Sequence, residues 1–111
     1  MSNTISDLMI VAKRTASKSP CKHKVACILV DERGNIVATG YNHFSSRSKI
    51  LGKNTIHAEC DAVSKVRKPS SNLTAFLYRH NNNPIHSCNC CATLLKAYGI
   101  KEVISMHTLE G

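Results

Sequence analysis

The sequence predicts an α/β fold, a three-layer α-β-α sandwich around a mixed sheet, formed as one domain by residues 1–111. Three observations carry this reading. Apolar residues recur at helical spacing in some stretches and as strand-like runs in others. Two adjacent strand-like runs are joined by a tight turn, as in an antiparallel hairpin. The later strands are separated by helices, and such crossovers make strands parallel and place helices on both faces of the sheet.

Taken in order, Thr4 with Asp7 reads as a capping box ahead of Ile5, Leu8, Met9 and Ala12, which predicts a helix over 5–17 ended by Ser19-Pro20. KVACILV (24–30) is apolar and β-branched, DERGN is a turn containing Gly34, and IVATGYN (36–42) is the returning strand. The polar stretch HFSSRSKILGKN follows as a loop. Ala58, Ala62, Val63 and Val66 share one face of a helix that starts near His57 and stops before Pro69. LTAFLYR (73–79) is the third strand, and NNNPIHS is a loop of turn formers. From Cys88 a helix carries Leu94, Leu95 and Tyr98 to a left-handed cap at Gly99, and KEVISM (101–106) is the fourth strand. Internal repeats and domain linkers are absent from the sequence.

A chain of 111 residues supports one core but not two. Its 42% apolar and 20% charged residues are those of an ordinary globular protein. Apolar runs fall short of a membrane span, and the opening MSNTISDLMIVAKR carries Asp7 within its most apolar part, unlike a secretory signal. A cytoplasmic protein is therefore expected. In that compartment Cys21, Cys27, Cys60, Cys88, Cys90 and Cys91 stay reduced, and thiolate ligands are favoured over disulfides. The net charge of +8 suits an anionic partner such as a nucleotide, RNA or DNA. It equally suits a lysine-rich surface, because the basic residues fall in three scattered groups.

The stretch NTIHAECDAV (54–63) passes from a strand-like to a helical pattern, with His57 and Glu59 two apart at the change. Cys88 and Cys91 open the other helix that follows a strand, spaced so that both sulfurs point the same way from one turn. In open α/β sheets ligands usually bind at these strand-to-helix loops. One histidine and two cysteines occupy three corners of a zinc tetrahedron and leave the fourth to water, as in catalytic sites. Two thiolates and a neutral imidazole balance the charge of Zn²⁺ and weaken its pull on water. Two helix N-termini aimed at the site offset that effect and favour the thiolate forms. Glu59 lies roughly 200° round the helix from His57, poorly placed to share the metal. At the first turn it leans instead beside the water, as a general acid and base. This composition yields ~0.2 chance H-x-E pairs and ~0.3 chance C-x-x-C pairs, so either alone is weak. Both together, at helix starts after strands, point to a metal site.

His-Ala-Glu at 57–59 followed by Cys-x-x-Cys at 88–91 resembles the zinc-dependent cytidine and deoxycytidylate deaminase superfamily. Gly40-Tyr41-Asn42 is similar to that family's substrate-contacting G-x-N segment, and CNCCATLLKAYGIKEVISM resembles the deoxycytidylate branch especially. The resemblance implies a cytidine deaminase-like fold and hydrolysis of a cytosine nucleotide or nucleoside, dCMP or CMP ahead of cytidine, to the uracil product and ammonia. It implies Zn²⁺ on His57, Cys88 and Cys91, with attack at C4 of the base. Glu59 then carries protons to N3 and to the leaving ammonia, Asn42 touches the sugar, and the Ala58 N–H meets the pyrimidine carbonyl.

Three departures accompany it. Ser87 stands where the family usually has proline, although serine also caps a helix. NNNPIHS replaces a shorter, more apolar stretch at the pocket rim. The family's usual C-terminal helix and strand are not expected within 1–111, which would bare a sheet edge and predicts a homo-oligomer.

Other residues admit two readings. Asn42 fits a turn as well as a sugar contact. Arg47, Lys49 and Lys53, in the loop leading to His57, fit phosphate contacts or a solvated loop. Cys90 is directed away from Cys91 by its helical position, and Cys21, Cys27 and Cys60 read as small apolar residues. His86 lies near Cys88 but in an Asn-rich loop, while His23, His43, His80 and His107 show no partner in the sequence. With 5% aromatic residues and no tryptophan, the chain offers few stacking platforms for single strands, which favours a small-molecule pyrimidine over a polymer. The rival readings are a deaminase editing bases in RNA or DNA, and a zinc-stabilised binding module without turnover.

Overall fold

The computed structural model describes residues 4–21, 23–44, 55–66, 72–79, 93 and 95–106. Helix α1 (Ile5–Ser17) starts on the expected capping box. Thr4 Oγ1 accepts the Asp7 N–H, and an Asp7 carboxylate oxygen accepts the Thr4 N–H, each at 3.1 Å. Two orphan donors of the first turn are thereby satisfied. Lys18 closes the helix just ahead of Ser19-Pro20. Strands β1 (Val25–Val30) and β2 (Ile36–Tyr41) form the antiparallel hairpin. In its turn Asp31 Oδ1 accepts the N–H groups of Arg33 and Asn35, both at 2.9 Å, and Gly34 takes a φ of 85°. That left-handed geometry favours glycine.

The main sheet has the order β2-β1-β5-β6, where β5 is Leu73–Arg79 and β6 is Ile100–Met106. β5 runs antiparallel to β1 and parallel to β6, so the sheet is mixed. Between β5 and β6, Thr93 and residues 95–97 are helical, and Gly99 ends that turn with a φ of 85°.

Strand alternation divides the core into two layers. Ala26, Ile28, Val30, Phe76 and Tyr78 pack against Leu8, Ala12 and Ala16 of α1. Cys27, Leu29, Leu73, Ala75 and Leu77 face the other way, against Leu95 and against Ala58, Ala62 and Val63 of helix α2 (Ala58–Ser64). Each large apolar side chain fully buried here contributes about 1.5–3 kcal/mol. A bulge adjusts the edge: Leu29 pairs with Ala38 but Val30 pairs with Ile36. The extra residue, Val37, is exposed, and Ile36 joins the α1 layer while Ala38 joins the α2 layer.

Two details differ from expectation. The chain after Asn42 stays extended, and His43–Phe44 (β3) pairs antiparallel with Thr55–Ile56 (β4). β-branched Thr55 and Ile56 suit that pairing, which leads the chain directly into α2. Helix α2 ends earlier than Pro69 requires. The Lys65 and Val66 N–H groups bond back three residues, to Ala62 and Val63, tightening the last turn. Among the described residues no helix is long and apolar enough to cross a membrane.

Candidate active site

Gly40 sets how closely α2 approaches the sheet. A Cβ built there would lie 2.3 Å from the Ala62 nitrogen and 2.5 Å from the Ala58 carbonyl oxygen. Strand and helix backbones therefore touch, with Ala62 completing the fit from the helix side. The start of α2 is held against the end of β2, two residues short of Asn42.

His57 is the N-cap of α2 in extended geometry (φ −71°, ψ 154°), and its ring makes no capping bond and is exposed. Glu59, two residues on, is only 4% exposed. The two residues therefore differ sharply in burial at the start of α2. The Cys27 thiol of β1 is pushed well above its usual range, first by burial, then by Glu59 and then by Cys60. Ala58 is buried, and as the first helical residue its N–H has no intrahelical acceptor.

Asn42 is half-buried and is not a turn residue. Its N–H donates to the Val25 carbonyl at 3.2 Å, its Oδ1 accepts the Val25 N–H at 2.9 Å, and its Nδ2 donates to the His23 carbonyl at 2.6 Å. The side chain prolongs the β1–β2 pairing and uses half of the carboxamide's hydrogen-bonding capacity.

Two clusters at this end of the sheet escaped sequence reasoning. Asp61 of α2 accepts the Tyr41 N–H at 3.1 Å, meets His43 Nε2 at 3.2 Å, and pairs with Lys65 at 3.3 Å. Burial raises the Asp61 carboxyl, but those three partners outweigh it and hold the group below its ordinary value. Lys65 also donates to the Thr39 carbonyl at 2.9 Å, tying α2 to β2. The i,i+4 spacing of Asp61 and Lys65 was a usable signal, whereas His43 lies 18 residues away. In the second cluster Arg79 Nη2 lies 3.0 Å from His23 Nδ1, across 56 residues with no local signal.

Cys88 and Cys91, with Ser87, His86, Cys90, Arg47, Lys49 and Lys53, lie outside the described residues. Among the described residues no group of three His, Cys, Asp or Glu side chains is close enough to hold a metal. The residue types at 57, 88 and 91, one histidine and two cysteines, are ones that suit zinc, and His57 stands exposed at the start of α2.

Known proteins resemble this chain in fold. The profile of the cytidine and deoxycytidylate deaminase zinc-binding region matches residues 2–107. Cytidine deaminase from Burkholderia pseudomallei superposes with a TM-score of 0.71 at 19% identity, covering 98% of this chain and 88% of that one. The dCMP deaminase of cyanophage S-TIM5 superposes in its apo form with a TM-score of 0.67 at 23% identity, covering 92% and 81%. The same enzyme in complex with dCMP and dUMP gives 0.62 at 20%, covering 93% and 83%. At these identities the likeness shows a cytidine deaminase-like fold. No curated protein sequence matches the chain. On the family profile, which spans nearly its whole length, the chain belongs to the family of the cytidine and deoxycytidylate deaminase zinc-binding region.

Proposed function

We propose that this chain hydrolyses the C4 amino group of a cytosine nucleotide or nucleoside, deoxycytidylate ahead of cytidine, giving the uracil product and ammonia. The observation that carries the reading is a carboxylate buried in the first turn of α2, two residues past an exposed histidine, in a chain of this family. The cyanophage dCMP deaminase, crystallised with dCMP and dUMP, supports a small pyrimidine nucleotide as the substrate class.

His57, Cys88 and Cys91 would hold Zn²⁺, which when bound supplies a Lewis acid that activates water near neutral pH. Glu59 takes a proton from the attacking water and delivers it to N3 of the base. It then returns a second proton to the amino nitrogen, which leaves as ammonia while C4 keeps the oxygen. Ala58 donates its N–H to the O2 carbonyl and orients the ring, and Asn42 offers its remaining carboxamide capacity to the sugar. The buried setting of Glu59 keeps bulk water from competing for its proton.

The test is loss of cytosine absorbance with cytidine, deoxycytidine, deoxycytidylate and a short single-stranded oligomer as substrates. Turnover of a monomer supports the reading, turnover of the oligomer alone replaces it with polynucleotide editing, and none at all leaves a binding module. In Glu59→Ala, zinc content by metal analysis should be unchanged and turnover should fall by a factor of roughly 10²–10⁴ or more. Full activity in that variant removes Glu59 from the mechanism.

A further inference from the structure

Arg79 ends β5, in register with Val25 of β1, and strand alternation puts it on the face covered by α2. Val25 is the residue whose backbone holds Asn42, and Asn42 in turn holds the carbonyl of His23. Arg79, His23 and Asn42 therefore form a chain of contacts along the edge where a sugar at Asn42 would lie. Arginine only donates, so His23 Nδ1 accepts from Nη2 and the imidazole proton sits on Nε2.

Among the described residues this pairing brings no carboxylate to the guanidinium. Among the described residues the ion pairs involve Asp61 alone, and none reaches Arg79. The Arg79 Nε is buried without a hydrogen-bond partner. Native proteins leave few buried donors unmet, because each costs its lost hydration. A partly exposed cation whose Nη2 is shared only with a neutral histidine suits an anion that arrives with the ligand. The guanidinium fork matches two oxygens of a phosphate.

We propose that Arg79, with His23 beside it, anchors the 5′-phosphate of a nucleoside monophosphate whose sugar lies at Asn42 and whose base lies at Glu59. The inference rests on the deaminase reading and deepens it: this pair selects nucleotide over nucleoside.

The experiment uses the full zinc-loaded chain with deoxycytidylate and deoxycytidine. Wild-type kcat/KM should favour the monophosphate by at least about tenfold, the scale of one charge-assisted pair. Arg79→Gln should lower that ratio at least about tenfold, chiefly through KM for the monophosphate, and Arg79→Lys should restore part of it. No wild-type preference, or an equal loss on both substrates, overturns the anchor while leaving the deaminase reading intact. Should Arg79→Gln fail to fold, inorganic phosphate added to wild type decides: it should compete with deoxycytidylate and not with deoxycytidine, and equal or absent inhibition overturns the proposal. If wild type deaminates neither monomer, the deaminase reading fails by itself. The anchor then stands or falls on melting temperature, which dUMP should raise more than deoxyuridine does.

Discussion

Asp61 joins a backbone donor on β2, a ring on β3 and an ammonium one turn along its own helix, so one carboxylate ties α2 to two other elements. His43 also tilts against Tyr41 with ring centroids 5.7 Å apart, which limits where the β2–β3 backbone sits. Lys65 is half exposed, so its pairing contributes little and the Tyr41 N–H bond matters more. Asp61→Ala should cost about 1–2 kcal/mol by leaving the Tyr41 N–H and His43 without their acceptor, and Asp61→Asn less. The pH dependence gives the sign. The folded carboxyl titrates below its ordinary 3.8, so its contribution is complete above that value and is lost as pH falls through the lower folded one. Acid melts of wild type should therefore steepen below pH 3.8, and those of Asp61→Asn should lack that component. Matching acid profiles would mean that Asp61 is not coupled to folding.

The elements that the sequence announced are those whose signals lie within a few residues. Thr4 and Asp7, Asp31 and Gly34, and Gly99 each settle a local backbone choice, and each fixed a boundary of α1, of the hairpin or of β6. The spacing of His57 and Glu59 is local too, and the structure puts the first exposed at the N-cap of α2 and the second buried in its first turn. The β3–β4 pair, the bulge at Val37 and the Arg79–His23 contact depend on register between distant strands, which periodicity does not encode. Gly40 belongs to both groups: its motif was visible, but its packing role was not. Gly40→Ala forces a methyl group into the α2 backbone, where no side-chain rotation relieves the overlap. It should cost about 3 kcal/mol or more. In urea melts the midpoint should fall with an unchanged slope. Under the proposed function deamination should fall as well, because α2 carries Glu59 and is capped by His57. A variant with wild-type stability would show that helix and strand are less closely seated than described.

At the scale of the molecule, two cores on opposite faces of one sheet hold the fold, and only the α2 layer meets the candidate active site. The α1 layer buries Ile28, Phe76 and Tyr78 without reaching the site, so it supplies stability that the chemistry does not disturb. Helix α2 brings seven residues to this layer, with small side chains at Ala58 and Ala62 and a buried carboxylate. A zinc ion bridging His57 to Cys88 and Cys91 would close a loop of some thirty residues across this face. Metal that binds only the folded chain stabilises it by about 4 kcal/mol when free zinc is about a thousand times its dissociation constant. For a domain of this size that corresponds to a melting temperature higher by more than about 10 °C. Removing the metal with a chelator should therefore lower the melting temperature by that amount, and restoring zinc should recover it. His57→Ala should melt near the chelated wild type and respond little to either treatment. The α1 face should keep its hydrogen-exchange protection through the chelation while the α2 face loses part of it. Equal loss on both faces would mean that the two layers open as one unit, and an unchanged melting temperature would mean that His57 carries no metal that matters to the fold.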